Sequence, residues 1–378
     1  MSALLVVLLT GMLTAIACAL PGSFLMLRRL AMLSDAISHA ILPGIVLGYF
    51  LAKGPNFALG LLGAALVAIL TVGLIELLQD VSNVASESAI GIVFPAMFAL
   101  GVLTISRYYA NVHLDTDAVL FGNIEFAPFE SLWVGEHHLG PQSLWVTGGL
   151  ALLNALFVGL FYKELQLATF DPALAATSGF SPRLLHYALM AVVAVTSVAA
   201  FTAVGSILVV AFMTVPAATA YLLTDDLRRM LVLAAGCGVA SAMIGFVFAL
   251  ALDASVAGAM ASASGLLFVT AALFSPSHGL LARARQLRRQ RLEFATETLL
   301  LHLRYHETLP GEEHELEVAH LSNELRWTPR FAQRVIAHAQ RSGLVQRTNG
   351  HLALTEAGRA VAEHLSARTG AGLERARA

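Results

Sequence analysis

Long apolar stretches alternate with short polar breaks up to about residue 275, after which the chain changes character. Crossing a hydrocarbon core takes about 20 residues of helix. Runs of that kind fall near 3–27, 36–52, 57–79, 88–109, 143–162, 184–202, 204–223, 231–251 and 256–275. The pattern predicts an all-α polytopic membrane protein with about nine spans, or eight if 184–223, divided only around Ala203, is a single element. The opening stretch MSALLVVLLTGMLTAIACALPGSF carries no basic residue ahead of Arg28 and Arg29, so it reads as a first span rather than a signal peptide. Pro43-Gly44, Pro95 and Pro216 fall inside spans, where neighbouring helices or water must satisfy the carbonyls that proline frees. Gly44 with Gly48, and Gly60 with Ala64, form small pairs that let helices approach closely.

The polar remainder has its own rhythm. Residues 276–292, SPSHGLLARARQLRRQR, predict a basic juxtamembrane helix or linker after the 1–275 membrane domain. A helix over Leu292–His306 follows, with Phe294, Leu299, Leu300 and Leu303 facing inward, and a second over HELEVAHLSNELRW. Thr328 and Pro329 supply an N-cap and a first-turn proline for FAQRVIAHAQRSG, which Gly343 closes. LVQRTNGHLALT predicts a hairpin around Asn-Gly, and Thr355 caps a last helix, EAGRAVAEHL. Helix, helix-turn-helix, hairpin, helix is the order of a winged helix over 293–367, leaving 368–378 as an expected disordered tail.

Composition agrees with the pattern: 57% hydrophobic, 13% charged and a mean hydropathy of +0.73. Soluble domains carry about a quarter charged residues, so a soluble globular enzyme is excluded. The net charge of −2 decides nothing, because the charges are unevenly placed. Arg28/Arg29, Lys163, Arg183, Arg228/Arg229 and the run Arg283–Arg291 fall on one side of a nine-span arrangement. That side is expected to be cytoplasmic, with the N-terminus outside and the C-terminal domain inside. The opposite loop, 111–142, carries His113, His137, His138 and several acids but no Lys or Arg. Its histidines are exposed-loop residues that could attract cations or dock a partner. Cys18 and Cys237 lie in apolar runs with no CxxC motif, and no GxxxxGK[ST] nucleotide loop occurs.

Charged groups at membrane depth are costly and usually functional. In RRLAMLSDAISHAILPG, Asp35 and His39 stand at i and i+4, sharing a helix face about 6 Å apart along the axis. A carboxylate with an imidazole suits a divalent cation such as manganese, iron or zinc. Two ligands do not complete a shell, but a second copy of the chain would double them. The alternative is a helix-capping Asp35 with His39 bonded to a neighbouring carbonyl.

Four blocks in order, GSFLMLRRLAMLSDAISHAILPG, DAVLFGNI (117–124), FDPALAATSGF (170–180) and AVGSILVVAFMTVPAATA (203–220), resemble the ABC-3 permeases, the membrane subunits of zinc, manganese and iron ABC importers. The resemblance implies the ABC importer permease fold and a homodimer, itself no enzyme, which works with a cytoplasmic ABC ATPase dimer that binds ATP. It also implies an external metal-binding solute-binding protein, and a translocation path lined by Asp35 and His39. FDPALAATSGF resembles the coupling helix that seats in the ATPase, with Asp171, Ala175 and Gly179 at its signature positions and small residues that admit a partner's surface. Near the last span the family's Asp is followed by a proline, whereas LDASVAGAMASASG has Asp253 and none, leaving Asp253 either an outer-gate residue or a plain loop carboxylate.

The tail resembles the DNA-binding domain of iron-dependent-repressor-type metalloregulators. On that likeness Arg330, Gln333 and Arg334 would lie on a recognition helix and Arg347 on the wing. Glu312, Glu313, Glu315, Glu317 and Glu324 reduce its basic character, which favours a regulatory or docking module over operator binding. His302, His306, His314 and His320 offer a metal-sensing reading beside a solvated one. The expected function is a divalent-metal ABC permease, with manganese and iron slightly favoured over zinc. The alternatives are a membrane-tethered metal-responsive regulator and an ion-coupled secondary carrier.

Overall fold

The computed structural model describes residues 2–52, 57–82, 84–108, 124–134, 137–276, 279–307, 325–348 and 351–369. The chain divides into two compact units, Met1–Leu280 and Leu281–Ala378. Among the described residues, nine helical stretches of unit one are long and apolar enough to span a bilayer.

Unit one is built around α1 (Ala3–Leu27), which packs against α6 (Gln142–Leu160), α9 (Pro182–Val204), α10 (Ser206–Leu223) and α11 (Leu227–Leu252). The second predicted span is not one helix. It is α2 (Met32–Ala40) followed by α3 (Leu42–Ala52), broken at Ile41. Proline has no N–H to return to the carbonyl four residues back, so Pro43 leaves the His39 carbonyl without its helical donor. The Gly44 amide turns instead to the Ile41 carbonyl, tightening the break. α4 (Phe57–Ser82) and α5 (Ser86–Tyr108) complete this side. Beyond α5 come a short 3₁₀ turn at Ile124–Phe126 and an antiparallel pair, β1 (Ser131–Val134) with β2 (His137–Pro141). The run 184–223 is two helices, because Gly205 takes φ +84° between α9 and α10, a conformation that only glycine adopts freely.

The glycine pairs act as predicted, with one further partner. A Cβ on Gly44 would collide with the Gly63 carbonyl, and one on Gly48 with the backbone of Leu59 and Gly60. Ala64 also stands against Gly44 through its Cα, Gly63 makes the reciprocal contact, and Gly60 itself has open space in front of its own Cβ position. α3 and α4 therefore meet backbone to backbone.

Pro21, inside α1, strips the Ala17 carbonyl of its donor in the same way that Pro43 strips His39. Here the replacement is explicit. The side-chain amide of Asn154 on α6 donates to the Ala17 carbonyl at 2.7 Å and to Thr196 Oγ1 on α9 at 2.8 Å. Asn154 is fully buried, so one polar side chain joins three helices where water cannot reach.

After α11, which ends at Asp253, α12 (Val256–Phe274) closes unit one. Unit two begins in α13 (Leu280–Glu307), which takes in residues 280–292 of the predicted linker. Its core gathers Leu299, Leu300 and Leu303 of α13, Val335 and Ile336 of α14 (Pro329–Arg341), Val345 of β3 (Val345–Thr348), Leu352 and Leu354 of β4 (His351–Leu354) and Ala362 of α15 (Glu356–Thr369). The predicted inward Phe294 is instead 71% exposed, and Ala295 takes the buried position beside it. The β3–β4 register pairs Thr348 with His351. The predicted second tail helix falls mostly on 308–324, outside the described residues; of the expected disordered tail 368–378, residues 368 and 369 belong to α15 and 370–378 lie outside the described residues.

Candidate metal site and coupling segment

Helix α2 lies against α4, α5, α9 and α10, and presents the two predicted ligands together. His39 Nε2 and Asp35 Oδ1 are 3.5 Å apart, with the side chains 30% and 47% exposed respectively. The helix opens at Ala31 with no side-chain cap, so Asp35 is not spent on capping. The His39 ring is walled by Phe94 and Phe98 of α5, with centroids 5.7 and 6.4 Å away. An imidazole fixed by aromatic contacts and a carboxylate reaching it from one turn earlier present two donors toward an accessible side. Among the described residues no group of three or more His, Cys, Asp or Glu converges for a metal. One chain thus offers two side-chain donors at this point, with the His39 carbonyl freed by Pro43 close by.

The segment after α6 consists of α7 (Tyr162–Phe170) and the short α8 (Pro172–Thr177). Asp171 caps α8, its Oδ1 accepting the Leu174 N–H at 2.9 Å, with Pro172 in the first turn. Gly179 stands at φ +88°, and the Phe180 N–H returns to the Ala175 carbonyl at 3.1 Å, the left-handed stop that closes a helix. Two of the three signature positions are therefore explained by the shape of this turn. The third differs from expectation: Ala175 is fully buried within its own chain, so its small size serves internal packing rather than a partner's approach. The outward face carries Phe170, Leu174 and Phe180, all exposed.

Sequence reasoning missed a polar cluster beside this segment. Arg28, at the end of α1, donates from Nε to Thr169 Oγ1 at 3.1 Å, and its Nη1 lies 3.1 Å from His186 Nδ1. His186 Nε2 in turn lies 2.5 Å from Glu76 Oε1 on α4. Burial pushes the Arg28 guanidinium below its ordinary pKa. The signal available in sequence was a charged or titratable residue in or beside several spans: Arg28, Glu76 and His186.

Asp253 occupies the left-handed C-cap of α11 at φ +50°, exposed, with the Ala254 N–H reaching back to the Ala249 carbonyl. Its observed role is to end a helix, which aspartate tolerates better than most residues. A carboxylate not singled out in sequence, Glu125, accepts the Val256 N–H at 3.0 Å and so fixes the start of α12. In unit two, Arg330, Gln333 and Arg334 are exposed on α14 and Arg347 on β3. His302 and His306 sit ring to ring at 4.4 Å on α13. His113, His314 and His320 lie outside the described residues, as do the side chains of His137 and His138.

A polytopic helical bundle with a titratable pair on a broken half-helix, followed by a short capped helix between spans, defines a membrane permease. The chain belongs to the ABC 3 transport family, whose model matches residues 1–275. It is 44% identical to the zinc transport system membrane protein TroD of Treponema pallidum (strain Nichols) over 94% of this chain and 97% of that one, a match that runs into the tail. It is 43% identical to the manganese transport system membrane protein MntD of Bacillus subtilis (strain 168), over 73% of this chain and 94% of the relative. Among solved structures it resembles PsaBC from Streptococcus pneumoniae in complex with Fab, with a TM-score of 0.62, 28% identity, and coverage of 76% of this chain and 96% of that one.

Proposed function

We infer that the chain is the membrane permease subunit of an ATP-driven importer of divalent transition metal ions, in a bacterial inner membrane. The observation that carries this reading is the Asp35–His39 pair held on the broken α2 helix of an ABC 3 family member. An external binding protein delivers the ion, two copies of the chain enclose the path, and the two Asp35/His39 pairs together supply two oxygens and two nitrogens. Carboxylate and imidazole suit manganese, iron and zinc alike. Zinc and manganese both stand in the names of the relatives. The ligands act as ionised carboxylate and neutral imidazole, so acidification sets protons against metal.

ATP is hydrolysed on a separate ATPase pair, which docks against the exposed Phe170, Leu174 and Phe180 around α8. On the positive-inside rule the basic ends of the spans lie on that side, and on this reading the N-terminus is outside and unit two cytoplasmic. Asp253 remains a candidate at the outer gate, secondary to its helix-ending role. The test is metal accumulation in cells expressing Asp35→Ala or His39→Ala at wild-type level. Uptake should fall to background; uptake at the normal rate removes the site assignment.

We propose for unit two a winged-helix module over 293–367 that docks or regulates. Its exposed Arg330, Gln333, Arg334 and Arg347 are the contacts by which it would meet an acidic partner or nucleic acid. Loss of metal-dependent control of uptake in a quadruple alanine variant of the full-length chain supports regulation. Salt-resistant, sequence-selective DNA binding by the full-length protein would favour the tethered regulator instead.

A further inference from the structure

We propose that Arg28 is a positioning residue that ties the α8 coupling segment to the metal-bearing α2 helix, with His186 relaying the tie to α4. The inference rests on the permease reading above. It begins with chain geometry. One residue separates Thr169 from Asp171, the cap of α8, while His186 follows Ser181, whose hydroxyl caps the start of α9. One guanidinium therefore grips the chain on both sides of α8, at 3.1 Å in each case. A planar fork with several fixed donors can hold two such partners at once, which a lysine ammonium on a flexible stem does not reproduce.

On its other side Arg28 leads directly into α2. The Leu30 N–H closes on the Leu25 carbonyl at 2.8 Å, and Arg29 takes φ +60°, unusual for a residue with a side chain. The Leu33 N–H then bonds the Leu30 carbonyl at 3.0 Å. There is no slack in this corner: a displacement of Arg28 moves the start of α2, and with it Asp35 and His39.

The hydrogen bonds also fix the relay's chemistry. A guanidinium only donates, so His186 Nδ1 is the acceptor and Nε2 carries the proton given to Glu76. His186 thus bridges Arg28 and Glu76. Arg28 Nη2 is buried and makes no hydrogen bond within the chain.

The test uses the complete transporter, permease with its ATPase and metal-loaded binding protein, in liposomes. The reading is manganese or zinc moved per ATP hydrolysed. His186→Leu keeps the bulk but removes both bonds, and should lower that ratio about five- to tenfold, in the range of ordinary coupling energies. ATP hydrolysis itself continues. His186→Gln offers one acceptor and one donor and should restore most of the ratio. Thr169→Val, which removes one hydroxyl and threatens folding least, should lower the ratio in the same direction. The proposal is overturned if transport and hydrolysis fall in parallel, if Gln is no better than Leu, or if Thr169→Val leaves the ratio unchanged. A wild-type complex that hydrolyses ATP yet moves neither metal would sink the transport reading itself, a result the control gives before any variant is made.

Discussion

Replacing Asn154 by leucine keeps the volume at the meeting point of α1, α6 and α9 but removes two donated hydrogen bonds. The losses are unequal. Thr196 Oγ1 still donates to the Val192 carbonyl at 2.7 Å, so it forfeits only an accepted bond. The Ala17 carbonyl is left with nothing, because Pro21 cannot supply the usual helical N–H. A buried acceptor stranded in this way costs about 1–3 kcal/mol. Against this, Asn154 Oδ1 is itself buried without a partner, and its removal returns part of the loss. Interhelical hydrogen bonds measured in membranes average about 0.6 kcal/mol, so a net destabilisation of about 1–2 kcal/mol is expected. The decisive assay is a double-mutant cycle with Pro21→Ala, followed by unfolding of the purified chain in mixed micelles. Alanine at 21 restores the helical donor to Ala17, so Asn154→Leu should become nearly neutral in that background. A coupling energy of about 1 kcal/mol is expected. Equal costs for Asn154→Leu in both backgrounds would refute the reasoning, because the amide would then not be standing in for the proline's missing N–H.

Other outcomes follow from the same geometry. Gly63→Val should separate α3 from α4 and lower both thermal stability and metal uptake, whereas Gly60→Ala, facing open space, should leave both near wild type; equal effects on the two would remove the packing argument. Asp171→Ala takes the cap from α8 and should cost about 1 kcal/mol locally, read as faster amide exchange at Leu174. Glu125→Gln weakens a charge-assisted bond at the start of α12, and accelerated exchange at Val256 is the expected sign. Leu174→Asp on the exposed face of α8 should abolish ATPase co-purification while leaving the permease folded, and retained binding would place the docking surface elsewhere.

Much of this molecule was legible in the chain because the bilayer allows few solutions. Unpaired backbone groups cannot survive in hydrocarbon, so long apolar runs become helices, and nine such stretches were countable from sequence. The Asp35–His39 spacing fixed their shared face by helical period alone, and the Asp-Pro and Gly punctuation of FDPALAATSGF announced the start and stop of α8. Periodicity could not say which small residue meets which. Gly63 joins Ala64 against Gly44, and Ala175 turns into its own fold, because those outcomes depend on how helices cross. Nor could it show that Asp253 ends a helix, since a left-handed cap is set by the chain that follows. Above all, Arg28, Glu76, Thr169 and His186 lie far apart in sequence, and Asn154 is separated from Pro21 by more than a hundred residues. Local sequence decides where helices form. Which polar groups they bury together is decided only when the helices pack, because each such group must find its partner on a different helix.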